Sequence, residues 1–187
     1  MPEPAVEATG WDDLSDADRT RCGKLSDLVW PPETRRSGDP KYASAPAPEE
    51  HWPPARRARL FVVRRDGVIV AKAGVRPRRI RTPDGELVVA ALHGVLCHPT
   101  HRGLGLGRAV VRAAFRLVED GVFPLSFYQT GVPAFYQKLG ARVVDNPVVN
   151  SLAFRPPACP FWDDYAMIYP ASAPWPEGDI DTLGPGW

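Results

Sequence analysis

The stretch Leu92-His93-Gly94-Val95-Leu96-Cys97-His98-Pro99-Thr100-His101-Arg102-Gly103-Leu104-Gly105-Leu106-Gly107 decides how the rest of the chain is understood. The apolar run Val88, Val89, Ala90, Ala91 and Leu92 enters it as a strand, and Arg108 to Asp120 leaves it with helical spacing. Between them the glycines at 103, 105 and 107 alternate. Lacking Cβ atoms, they let several backbone N–H groups converge on one point. That point lies at a helix start, where the first amides have no intrahelical partner and the helix dipole is positive. A phosphate or pyrophosphate answers both conditions.

Other uses of such a loop fit the residues less well. A dinucleotide-binding unit needs an acidic residue about twenty positions beyond the glycines, after a second strand. Glu119 and Asp120 come too early and close the helix instead. A plain turn has no use for Arg102, a cation set beside open amides. Further along, Phe135-Tyr136-Gln137-Lys138-Leu139-Gly140-Ala141-Arg142 reads as a tyrosine-bearing helix that ends at a glycine and enters a strand.

Taken together, Arg102-x-x-Gly105-x-Gly107 and the Tyr136 segment resemble the acyl-CoA loop and the tyrosine helix of the GCN5-related N-acetyltransferases, over residues 88 to 145. The resemblance implies acetyl-CoA as co-substrate, its pyrophosphate held by Arg102 and the amides of Gly103, Leu104, Gly105, Leu106, Gly107 and Arg108. It also implies Tyr136 as the general acid facing the CoA sulfur, with Tyr128 and Phe135 as neighbours easily confused with it. For the oxyanion the family implies the amide of Leu96 or of a nearby residue at the strand end.

Acetyl transfer to an amine needs the amine to lose a proton, the oxyanion to be held and the thiolate to regain a proton. With both substrates bound together no covalent nucleophile is required. His93, on the opposite strand face from Leu92, is a candidate base because imidazole titrates near neutrality; a hydrogen-bonded structural histidine is the alternative. Gln129 is a candidate contact for the pantetheine chain or, equally, a turn residue. His98 and His101 suit capping or phosphate contact.

Working outward, Ser15 or Asp16 caps a predicted helix over Ala17 to Trp30, and Pro31-Pro32 ends it. Residues 31–58 form a proline-rich segment, either disordered or folded over a site; the family places its counterpart over the acceptor pocket. Leu60 to Val63, Asp66-Gly67 and Val68 to Ala73 spell a hairpin. The run Arg76, Arg78, Arg79 and Arg81 reads as a solvated face, or as a contact for the CoA 3′-phosphate. Pro83-Asp84-Gly85 turns the chain into a central strand, Glu86 to Leu96. Beyond the helix come a strand at Phe123 to Tyr128, a helix at Val132 to Leu139 and a strand at Ala141 to Val144, which Val148 to Phe154 extends or pairs with. A last strand at Asp163 to Tyr169 and a tail over residues 170–187 complete the chain. This order makes one α/β domain, residues 1–187, with a mixed, largely antiparallel sheet flanked by helices.

Composition narrows the partners. Net charge is +1, from 23 basic and 22 acidic side chains, which favours neither nucleic acid nor a charged membrane surface. Cys22, Cys97 and Cys159 are far apart and show no metal-ligand spacing, so no metal site is expected and a reduced, cytoplasmic setting is. No apolar run reaches membrane-spanning length. The expected partner is a small-molecule amine, with a homodimer left open.

Within the superfamily the chain is most similar to the aminoglycoside 2′-N-acetyltransferases, through Leu92-His93-Gly94-Val95, Thr100-His101-Arg102-Gly103, the Asp163-Asp164 strand ending in Tyr169-Pro170, and Trp187. That likeness implies that Asp163, Asp164, Asp179, Asp181 and the Trp187 carboxylate gather around a polycationic sugar. The chain departs from that pattern: His93 replaces a glutamate, and Pro185 an acid. A non-catalytic acyl-CoA-binding module and a protein-modifying acetyltransferase are the competing functions.

Overall fold

A computed structural model describes residues 4–35, 42–46, 50–154 and 159–187. Its centre is a long meander. Strand β2 (Arg59–Arg65) turns through Asp66 and Gly67, both at positive φ, into β3 (Val68–Thr82), and Pro83-Asp84 returns the chain as β4 (Gly85–Cys97). A short strand β1 (Glu7–Thr9) edges β2, and helix α1 (Asp16–Val29) packs beside it. Ser15 caps α1 by accepting from the Asp18 amide, as the sequence predicts.

After β4 the chain forms helix α2 (Leu106–Glu119), β5 (Ser126–Thr130), helix α3 (Pro133–Gln137), β6 (Arg142–Val144), β7 (Val148–Val149), β8 (Tyr165–Tyr169) and β9 (Ile180–Asp181). The sheet order is β1-β2-β3-β4-β5-β8-β6, with β7 paired to β9 and β9 to β3. Neighbours are antiparallel except β4 with β5 and β7 with β9. The mixed, largely antiparallel sheet expected from the sequence is present.

Strand alternation sorts the core onto two faces. Ala90 and Leu92 join α2 residues Val110, Ala114 and Leu117 on one side. Val89 and Ala91 join Phe127, Ile168, Ile180 and Trp187 on the other. Leu60, Val62 and Ile69 meet Leu14 and Cys22, the latter on α1.

The segment expected as a tail, residues 170–187, is instead part of the second core. Ala173, Ile180 and Trp187 are buried, and Ile180–Asp181 forms the last strand. Burying an aromatic or branched side chain stabilises by about 1.5–3 kcal/mol, enough for a few anchors to hold a proline-rich chain in place. β7 pairs with this segment rather than with β6. The arginine run is also not a solvated face, because the C-terminal segment crosses it. Arg78 is buried and donates to the Thr182 and Pro185 carbonyls at 3.0 and 3.2 Å. Arg79 pairs with Glu50 at 2.9 Å, and Arg81 is the exposed member.

Candidate active site

One irregularity opens the sheet. Lys72 on β3 faces Leu96 on β4, and Gly74 faces His93, so Ala73 alone opposes both Gly94 and Val95. This is a β-bulge, and Gly94 carries it at φ 59°, where glycine fits without penalty. Parallel pairing between β4 and β5 stops at Ala91 with Phe127. Ser126 pins the apex by donating to the Ala90 carbonyl at 2.7 Å. Beyond that point the strands separate, and their facing edges line a cavity of about 700 Å³: Leu92 to Val95 on one side, Tyr128 to Thr130 on the other.

Arg102 joins the cavity to the glycine loop. Gly103 and Gly105 take φ of 79° and 75°, and Gly105 caps α2. The first bond into the helix runs from the Ala109 amide to the Gly105 carbonyl at 3.0 Å. The amides of Leu106, Gly107 and Arg108 therefore point out of the helix end without backbone partners, the arrangement a phosphate fits. The helix begins two residues earlier than the sequence spacing predicts because the glycine itself supplies the cap. Gly103, Leu104 and Gly105 are exposed, as a ligand-receiving loop requires.

Tyr136 on α3 is buried and lines the cavity. Burial pushes its phenol well above the ordinary tyrosine value, the Asp163 carboxylate adds to the rise, and a hydrogen bond with Thr130 opposes it. The group is therefore a protonated hydrogen-bond donor at neutral pH. Tyr128 packs its ring 4.9 Å from that of Tyr136, and its own buried hydroxyl has no hydrogen-bond partner among the described residues.

His93 lines the cavity, with its ring directly over Gly74; a Cβ there would lie 2.4 Å from the imidazole. Burial pulls its pKa down to about 3, and the charges of Arg76 and Lys72 add to the shift. His93 is thus neutral, the form that both readings offered by the sequence, a base and a structural histidine, would take. Leu96 does not line the cavity, because the bulge turns it inward; Gly94 and Val95 face the opening.

Gln129 also lines the cavity, but its amide is occupied within the protein. Oε1 accepts from the Trp162 and Asp163 amides at 2.7 and 2.8 Å, and Nε2 donates to the terminal oxygen of Trp187 at 2.9 Å. These bonds bring Trp162, Asp163 and Trp187 to the opening. Trp187 Nε1 donates to the Phe127 carbonyl at 3.1 Å, and Gly186 allows Pro160 to pass where a Cβ would meet its oxygen at 2.1 Å. Trp30 and Arg35, just beyond α1, complete that side, and Tyr42 packs edge-on against Trp162.

The expected cluster of carboxylates does not assemble. Among the described residues that line the cavity, Asp163 is the single acidic side chain, and Trp187, whose terminal oxygen Gln129 holds, lines it as well. Asp164 and Asp179 are exposed away from it. Asp181 is buried, accepts from the Ser151 and Leu183 amides at 3.0 and 2.9 Å, and faces Arg81. It holds the C-terminal segment to β7. Sequence reasoning missed Trp30, Arg35 and Trp162, which carry no local motif. No group of metal-ligating side chains occurs among the described residues, and no described helix is long and apolar enough to cross a membrane.

A family model described as an acetyltransferase (GNAT) domain matches residues 13–144. The chain belongs to this family. Members take their acyl group from acetyl-CoA or another acyl-CoA. No curated protein matches the sequence. Among solved structures, the chain is similar to a GNAT-family acetyltransferase from Staphylococcus aureus Mu50, with TM-score 0.54, 11% identity, and 88% of this chain and 98% of that one covered. Escherichia coli ElaA gives 0.53 and 14% over the same shares, 88% and 98%. A GCN5-related N-acetyltransferase from Kribbella flavida gives 0.50 and 15% over 75% of this chain; the match spans 34% of that longer chain. These likenesses establish the GNAT fold.

Proposed function

We propose that the protein transfers an acetyl group from acetyl-CoA to a small-molecule amine, with both substrates bound together in the cavity between β4 and β5. The observation that carries this reading is the placement of Tyr136 in the wall of an opening that begins beside the free amides at the start of α2. Pyrophosphate on those amides and on Arg102 directs the pantetheine arm between the separated strand edges, whose backbone groups match its amides. The amine nitrogen attacks the thioester carbonyl carbon, and an amide at the Gly94–Val95 bulge receives the oxyanion. The C–S bond then breaks, the phenol of Tyr136 protonates the leaving sulfur, and the proton that the nitrogen sheds as the amide forms passes through water to restore the phenol. Lys72 and Arg76, close to His93, favour the uncharged form of an amine bound there, so its proton leaves to water before attack.

Removing the acid tests the assignment. Tyr136→Phe is expected to lower kcat about 100-fold, the scale of general acid catalysis, with acetyl-CoA affinity by calorimetry changed less than about twofold. Unchanged turnover in a thiol-release assay removes Tyr136 from the mechanism.

A further inference from the structure

One buried polar atom in the cavity wall serves no purpose within the protein itself. Tyr128 is the first β5 residue beyond the fork in the sheet, since pairing with β4 ends at Ala91 with Phe127. On its outer edge β5 pairs with β8, Tyr128 with Met167, and the side chain enters the core face that holds α2. There it is 1% exposed, with its ring 6.2 Å from that of Phe115 and 4.9 Å from that of Tyr136, and it lines the cavity together with Tyr136 and Leu92. Its hydroxyl has no hydrogen-bond partner among the described residues. The titratable and charged groups that border the opening are His93 on β4, Arg102 beside the glycine loop, Asp163 before β8, and Arg35 beyond α1; none of them bonds it. An unbonded buried hydroxyl costs stability, and phenylalanine would fill the same space without that cost. A group so placed is satisfied by what enters the cavity.

Resting on the acetyl-transfer reading, we infer that Tyr128 is a second catalytic phenol, whose hydroxyl donates a hydrogen bond to the sulfur of the bound cofactor beside Tyr136. As the C–S bond breaks, its electron pair goes to sulfur; Tyr136 delivers its proton there, while Tyr128 donates and keeps its own. Environment divides the two roles. Burial holds both phenols well above the ordinary tyrosine value, and the nearness of Tyr136 raises Tyr128 further. Tyr136 has Thr130 to steady its phenolate, whereas Tyr128 has nothing comparable. Tyr136 is thus the phenol that can give up a proton. A thioester sulfur is a weak acceptor and a thiolate a strong one, so the Tyr128 bond strengthens as charge collects. Such a bond stabilises the transition state more than the ground state, which is what raises the rate.

The test needs no acceptor amine. Calorimetry compares CoA with desulfo-CoA, which lacks the sulfur, at about pH 6.5 and about pH 9, on either side of an ordinary thiol's value near ~8.5. Over that interval the wild type is expected to gain affinity for CoA relative to desulfo-CoA. Tyr128→Phe is expected to bind CoA about tenfold more weakly at the higher pH, the scale of a hydrogen bond to a charged group, with desulfo-CoA affinity changed less than about twofold. The melting temperature of the ligand-free variant should be unchanged or higher, because the hydroxyl it loses was unbonded. Equal losses for the two ligands would place the hydroxyl away from the sulfur and overturn the inference, as would CoA affinity that the variant leaves unchanged. A lower melting temperature would reveal a partner within the protein and overturn it too. Failure of the wild type to bind either ligand would instead overturn the acetyl-transfer reading beneath it.

Discussion

Between Cys97 and Arg108 the cleft is bordered by backbone, and between Trp162 and Trp187 by side chains. The donor border needs only glycines in left-handed conformations and a helix start, all within a dozen residues of sequence. The acceptor border needs Gln129 to bond residues 33, 34 and 58 positions away, and Arg78 to reach a carbonyl 104 positions away. A site made from local backbone is bound to one chemistry, the diphosphate. A wall made from distant side chains can be exchanged residue by residue, which lets one fold serve different amines.

The largest effect expected from breaking this contrast is on the donor side. Gly105→Val forces a branched residue to φ near 75° and should weaken CoA binding about 30-fold or more; the strained backbone, costing about 1–2 kcal/mol, should also lower the melting temperature by a few degrees, although no described atom lies within 4 Å of the added Cβ. Calorimetric binding within threefold of wild type would show that the loop does not hold the cofactor. Next in size, Gln129→Leu leaves the Trp162 and Asp163 amides without their acceptor. It should raise the amine KM about tenfold and lower stability, with the acetyl-CoA KM unchanged. A parallel rise in both KM values would mean that the two borders are one unit.

The smallest effect concerns His93. Its native pKa of about 3 lies below the unfolded value near 6.5, so between these limits the unfolded chain binds a proton that the native protein does not. Acid therefore favours unfolding, and stability contributed by the neutral imidazole is lost as pH falls through that window. The melting temperature of the wild type should drop a few degrees more between pH 6.5 and about pH 5 than that of His93→Gln. Identical slopes would place His93 in a wetter, less positive setting than Lys72 and Arg76 create.

The same contrast explains what could be read from the residues alone. Strand alternation, the Asp66-Gly67 turn, the cap at Ser15 and the glycine-led helix are local signals, and the sheet followed from them; Tyr136 was singled out by the family resemblance. The wrong expectations came from partners far along the chain. The arginine run looks solvated until residues 182–185 cross it, and residues 170–187 look like a tail until Trp187 finds Phe127 and Gln129. The likeness to the aminoglycoside enzymes implied a cluster that includes Asp164, Asp179 and Asp181, but a likeness does not carry side-chain direction; Asp181 turns toward Ser151 and Leu183 instead. The low pKa of His93 comes first from its burial and then from Arg76 and Lys72 on the neighbouring strand β3, and nothing in its neighbours along the chain reveals it.

The parting of β4 from β5 has an effect on solubility as well as on binding. Unpaired strand edges invite other chains to add to them, and proteins usually blunt such edges with charges or cover them. Here two bare edges face one another inside the sheet, with β5 already paired to β8 and β4 to β3 on their outer sides. The molecule can thus offer open backbone to one extended guest while denying it to a neighbouring copy of itself.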